Sequence, residues 1–201
     1  LLQPMFDDFK YLFAYTVPLA TSFSIFSDGI LTFITPIYTF IFIPTLEAML
    51  KEKDSKTNYN EKQIENKLTN KIFDYLLYGN IPMVFILLVS GLYILSNNSL
   101  MTYEIIGISL SLGILLATNA INVAHELGHR KPILDRTLSK ILLIPCLYMH
   151  FYLEHNFGHH KNVATPKDPA TSKYNQTVYS FWVTSVFNQY INAWKIQKDI
   201  L

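Results

Sequence analysis

Two stretches of the chain carry almost no charge, and they constrain its fold more than any other feature. Between Tyr11 and Leu50 the only charged side chains are Asp28 and Glu47, and between Ile72 and Ala124 only Asp74 and Glu104. Each block divides at an interior turn, giving four apolar segments: Tyr11 to Ser27, Gly29 to Leu46, Tyr75 to Leu95 and Ile105 to Ala124. A helix needs roughly 20 residues to cross the hydrocarbon core of a bilayer. The second pair meets that length, whereas the first pair is short and has to finish in the interface, where Tyr and Phe are well placed. As core helices of a water-soluble protein, four segments mostly without a polar face would leave no surface for water. The expected fold is all-α, a polytopic membrane helical bundle.

The loops set the expected orientation, because Lys and Arg are retained on the cytoplasmic side. The stretch Lys51 to Lys71 has six Lys, the turns at Ser27 to Gly29 and Ser96 to Tyr103 have none, and the chain after Ala124 has nine Lys or Arg. Two transmembrane hairpins result, with both open ends in the cytoplasm. Residues 1–124 are then the four-helix membrane part with a Lys-rich cytoplasmic loop at 51–71, and residues 125–201 lie at the cytoplasmic face. Sixteen Lys plus Arg against fifteen Asp plus Glu leave a net charge of +1, too small a basic excess for a nucleic-acid footprint. The single cysteine, Cys146, permits no internal disulfide, Cys-rich zinc site or iron-sulfur centre. A bound metal therefore has to be held by His and carboxylates.

All six histidines fall between His125 and His160, and such clustering points to a shared role. His125-Glu126-Leu127-Gly128-His129 continues the fourth span, just before Pro132 interrupts the helix. Spacing of i, i+4 puts the two imidazoles on one face, where both can reach one ion. Glu154-His155-Asn156-Phe157-Gly158-His159-His160 repeats the pairing with His155 and His159, while His160 is turned by about 100° on an α-helix and is available to a second ion. Taken alone, the first box also matches the H-E-x-x-H pattern of a zinc metalloprotease, with Glu126 as general base. That alternative gives no reason for a second compact box. All-imidazole ligation points to zinc, copper or iron rather than magnesium or calcium, and two boxes, the second with an extra histidine, suit a site of two ions. The residues alone do not reach the reaction.

The same residues resemble the integral-membrane alkane 1-monooxygenases, within the histidine-box di-iron desaturases and hydroxylases. His125-Glu-Leu-Gly-His129-Arg-Lys resembles that family's first box. The stretch from Tyr148 through Glu154-His155-Asn-Phe-Gly-His159-His160 to Val163-Ala-Thr-Pro-Lys-Asp168-Pro-Ala-Thr resembles its second. The second box reads H-x-x-x-H-H, unlike the H-x-x-H-H usual in fatty-acid desaturases. The likeness extends over nearly the whole chain. Further boxes and two further spans are expected beyond Leu201, so the chain is expected to be the N-terminal part of a longer enzyme.

The resemblance implies that His125, His129, His155, His159 and His160 are ligands of two iron ions. It implies terminal hydroxylation of a medium-chain n-alkane to a 1-alkanol: one atom of O2 enters the product and the other leaves as water, with two electrons from rubredoxin and its NADH-dependent reductase. The implied location is the bacterial inner (cytoplasmic) membrane, with the boxes on the cytoplasmic side. Glu126, Glu154 and Asp168 are candidates to orient ligand imidazoles through the second ring nitrogen, and solvation at the cytoplasmic face is the plainer account of each. His150, at i−4 from Glu154, is expected to hydrogen-bond to it. Thr32, Thr35 and Thr39 recur at helical spacing and could leave room for an alkane, although helix packing through small residues explains the stripe equally well. Arg130, Lys131, Arg136, Lys140, Lys161 and Lys167 could steer an acidic electron carrier or simply obey the loop-charge rule.

Overall fold

The structure, a computed structural model, describes residues 9–50, 61, 65, 70–97 and 99–201. All of the regular elements among the described residues are helical. The expected Lys-rich loop at 51–71 lies outside the described residues, apart from positions 61, 65, 70 and 71. The chain divides into two compact units, Leu1–Ala120 and Ile121–Leu201.

The first unit holds the apolar helices. A 3-10 segment, Phe9–Tyr15, leads into α1 (Thr16–Ile25). Helix α2 (Gly29–Met49), helix α3 (Ile72–Asn97) and the start of helix α4 (Thr102–His129) follow. By length and composition, α2, α3 and α4 can each cross a membrane. The first expected span, Tyr11 to Ser27, corresponds to the 3-10 segment and α1, which are not among those three. Lipid-facing chemistry is evident in the exposure of Phe23, Phe40 and Ile86, each more than 60% accessible. In water such a surface would be unfavourable, whereas hydrocarbon accepts it.

What holds these helices to one another is polar. Without a hydrophobic driving force in lipid, helices associate through close packing of small residues and hydrogen bonds between them. Ser24 and Thr35 share a hydroxyl contact of 2.9 Å between α1 and α2. Ser111 Oγ on α4 donates to the Thr32 carbonyl at 3.1 Å, and a Cβ on Gly107 would collide with the Thr32 hydroxyl and the Phe33 ring. Asn119 donates to Asn80 at 2.8 Å and to the Ala14 carbonyl at 3.0 Å. Glu104 accepts from the backbone N–H of Met101 at 2.8 Å and of Gly29 at 2.6 Å, so one carboxylate ties the two neutral turns together. Gly29 takes φ +63 there, a left-handed conformation that suits glycine.

The threonine stripe is accounted for by this seam at two of its three positions. Thr32 and Thr35 are fully buried between helices, where their hydrogen bonds serve packing. Thr39 differs, with a buried hydroxyl that has no hydrogen-bond partner.

The second unit starts with the last turns of α4, which end at His129. Pro132 then opens α5 (Ile133–Leu143), as its missing N–H and fixed φ favour. Ser139 Oγ donates to the Ala124 carbonyl at 2.6 Å, locking α5 to the first histidine box. The second box begins with α6 (His150–Leu153), widens into a π-helical turn, Glu154–His159, and closes with His160–Asn162. The last helix, α7 (Val178–Ile200), is capped by Thr177, whose hydroxyl accepts from the Ser180 N–H. Its buried positions, Ser185, Gln189 and Ala193, follow an i, i+4, i+8 line.

Candidate metal centre

Five imidazoles meet in the second unit. The His125 ring centroid lies 4.7 Å from His129 and 4.3 Å from His155. His160 lies 4.8 Å from His129 and 4.6 Å from His155, and His159 stacks on His155 at 5.2 Å. The first box behaves as an α-helix predicts, with its i, i+4 pair on one face.

The second box keeps its i, i+4 pair stacked as well, and its helix type adds a further neighbour. In a π-helix the hydrogen bonds run over five residues rather than four, and such turns recur at functional sites. The wider turn brings positions i and i+5 together, so His155 Nε2 stands 3.1 Å from His160 Nε2. His160, expected to be turned by about 100° from His159, thus faces His155. His159, stacked on His155, places Nδ1 3.0 Å from Asp168 Oδ2.

His155 Nε2 is also 3.1 Å from His129 Nε2. In a neutral imidazole this nitrogen carries either one hydrogen or one lone pair, so it cannot hydrogen-bond to both neighbours at once. A shared ion reconciles the two contacts. Nitrogens about 2.1 Å from one metal, at angles between a right angle and the tetrahedral angle, are separated by about 3.0 to 3.4 Å. The His125, His129 and His155 donor atoms all lie within 4.8 Å of one another. The residues present thus fit a transition-metal site of imidazole ligands.

The electrostatics agree with that use. Burial, and then the imidazoles of His125, His160, His129 and His159, push the His155 pKa down to about 3. Desolvation and then the His129 and His159 imidazoles lower that of His160. A metal ligand must be unprotonated, and these surroundings favour the neutral ring.

Of the groups expected to orient the imidazoles, only Asp168 bonds to one. Its burial works to raise its pKa, but hydrogen bonds from the Thr171 hydroxyl, the Ala170 N–H and His159 outweigh this and lower it. The ionised carboxylate accepts from His159 Nδ1–H and leaves His159 Nε2 with its lone pair. Glu126 instead stands 3.5 Å from Arg130 Nε, with a side chain 57% exposed. Glu154 is buried, and its Oε1 accepts from Asn192 Nδ2 at 3.1 Å. The expected His150–Glu154 hydrogen bond is not formed: Asn192 takes the carboxylate, and His150 Nε2 is buried with no partner. The steering candidates Arg130 and Lys140 already have neighbours, Arg130 having Asp135 at 3.7 Å and Lys140 the Tyr152 ring at 4.7 Å.

Thr171 and Asn192 belong to this environment without having been expected there. Thr171 was within reach of sequence reasoning, since it closes the extended second motif: its hydroxyl donates to Asp168 and accepts from the Ala164 N–H at 3.0 Å. Asn192 had no signal, because its contact spans 38 residues.

Comparison with known proteins finds relatives over most of the chain. An alkane 1-monooxygenase of Pseudomonas putida is 36% identical over 79% of this chain and 39% of its own length. One of Acinetobacter baylyi is 36% identical over 81% of the chain and 39% of its own length. Over about four fifths of its length the chain is thus similar to alkane 1-monooxygenases. Residues 102–201 also match the fatty acid desaturase family model, which covers both histidine boxes. A more distant relative, the hydroxylase component of a xylene/toluene monooxygenase of Pseudomonas putida, is 31% identical over 49% of this chain and 27% of its own length. The chain spans about two fifths of the length of these curated alkane 1-monooxygenases.

Proposed function

We propose that this chain carries the first two histidine boxes of a membrane non-haem di-iron monooxygenase. Its reaction is hydroxylation of the terminal carbon of medium-chain n-alkanes to 1-alkanols with O2 and two electrons from rubredoxin, reduced in turn by an NADH-dependent reductase. The setting is the bacterial inner membrane, with the boxes at the cytoplasmic face. The double 3.1 Å contact of His155 Nε2 carries the metal part of this reading, and the relatives' printed activity carries the substrate.

His125, His129, His155, His159 and His160 would hold two iron ions. When bound, iron supplies the oxidising power that side-chain acids and bases lack for an unactivated C–H bond. The remaining work falls to the chain itself. Asp168 keeps the His159 proton on Nδ1 and thereby fixes which nitrogen points to the metal. Ala170 and Thr171 hold Asp168 in turn. The π turn presents His155 and His160 together, and α4 supplies His125 and His129 from a helix that can cross the membrane, within reach of an apolar substrate. Basic side chains at this end, among them Lys131, Arg136, Lys161 and Lys167, suit approach of an acidic electron carrier.

The zinc-protease alternative needs Glu126 beside the ion as a base, whereas this side chain is paired with Arg130. Full-length protein purified in detergent tests the two readings together. Iron near two per chain, octane converted to 1-octanol with rubredoxin, reductase and NADH, and residual hydroxylation in Glu126→Gln are the expected results. Stoichiometric zinc with peptidase activity abolished by Glu126→Gln would refute the proposal.

A further inference from the structure

We propose that Asn192, on α7, is a positioning residue for the metal centre: by donating to Glu154 it holds the π-helical turn that brings His155 and His160 together. The inference rests on the metal reading above and adds a residue outside both histidine boxes.

Three observations meet at one point. Glu154 is 1% exposed and is the first residue of the π turn Glu154–His159. Its Oε1 accepts from Asn192 Nδ2 at 3.1 Å. Gly158, within the same turn, has no room for a side chain: a Cβ there would lie 2.6 Å from Glu154 Oε1, 2.9 Å from Asn192 Nδ2 and 3.0 Å from Ile196 Cδ1. The carboxyl is thus clamped across the inside of the turn, between its own glycine and α7.

The physical need for a clamp follows from the turn itself. A π turn has poorer intrinsic stability than an α-helix and persists where its surroundings favour it. Relaxed to α-helical pitch, the segment would rotate His160 by about 100° from His159 and away from His155. Removing the Asn192 donor leaves a buried carboxyl without its hydrogen bond, so the segment gains by letting Glu154 move. A side chain at Gly158 would act from the other side by pushing Glu154 off Asn192. The neutral amide of Glu154→Gln, in contrast, still presents an oxygen to Asn192.

Full-length protein, stripped of metal and titrated with Co2+ by visible absorption, reads the effect on the site. Thermal unfolding of the same samples reads the fold. Asn192→Leu and Gly158→Ala are expected to weaken Co2+ binding about tenfold or more, the scale seen when the orientation of a ligand is lost, and to alter the shape of the Co2+ bands. Glu154→Gln is expected to bind as wild type. Ser185→Ala, a buried α7 substitution that removes the Gln189–Ser185 contact of 2.6 Å and leaves Glu154 alone, controls for loss of stability and should also bind as wild type.

Wild-type affinity in Asn192→Leu, or equal loss in Glu154→Gln and Asn192→Leu, would overturn the inference. If Asn192→Leu does not fold, Gly158→Ala decides by the same affinity criterion. Failure of the wild type itself to bind Co2+ would bring down the metal reading, and this inference with it.

Discussion

The two units use polar side chains in opposite ways. In the membrane unit, Ser24 with Thr35, Ser111 with the Thr32 carbonyl, and Asn119 with Asn80 and Ala14 hydrogen-bond to one another. These pairs leave little chemistry over, and their role is to hold apolar helices at close range. In the histidine unit the polar groups do not satisfy each other: His155 Nε2 faces two neighbours and can bond to only one of them. Polar saturation marks structure, and a polar surplus among clustered imidazoles marks a place for a ligand. The comparison predicts that substitutions in the first unit cost stability without costing metal, and that those in the second do the reverse.

The largest effect is expected at Asp168. Asp168→Asn keeps the volume but removes the charge that fixes the His159 tautomer, and metal binding to the full-length protein should weaken about tenfold to a hundredfold with a nearly unchanged unfolding midpoint. A large fall in the midpoint with wild-type affinity would place Asp168 with the structural groups and blur the division. Next comes Gly107→Ala, where the added methyl meets the Thr32 hydroxyl and the Phe33 ring. Overpacking of this kind costs about 1 to 3 kcal/mol, and detergent-solubilised protein should unfold at a lower temperature while retaining its metal. Loss of metal from the folded variant would show that the two units are coupled.

How much of this was legible in the sequence depends on the range of the interaction. The apolar helices could be read because absence of charge is a local property, and α4 ends where Pro132 requires. Apolar composition does not reveal that the first segment begins as a 3-10 helix, Phe9–Tyr15. The first histidine pair was legible because a regular helix sets it. The pitch of the second box was not, since the contacts clamping it reach from Glu154 to Asn192. The same long-range contact explains why His150 lost its expected partner. The threonine stripe showed a face but not its neighbour, and the neighbour proved to be α4 at Thr32 and α1 at Thr35.

Smaller effects sharpen the comparison further. Thr35→Val removes the hydroxyl shared with Ser24, and should cost about 0.5 to 1.5 kcal/mol with metal content unchanged, read from unfolding and metal analysis of one preparation. His150→Phe should have the smallest effect. Burial lowers the His150 pKa below the ordinary histidine value, so the unfolded chain binds its proton more readily than the folded one. The contribution of a neutral His150 to stability is therefore complete above the ordinary value and is lost as the pH falls below it, down to the lowered folded value. His150→Phe should flatten the decline of the unfolding midpoint on acidification from pH 7, and an unchanged slope would mean that this imidazole is not the group responsible.

The central claim is that His155 is shared between imidazole neighbours because they bind a common ion. Metal analysis of full-length His155→Ala, beside wild type and His150→Phe, tests it most directly. His155→Ala should lose most of its metal while remaining helical and folded, and His150→Phe should retain the wild-type content. A folded His155→Ala with its full complement of metal would contradict the account, because the nitrogen on which the centre is built would then be dispensable.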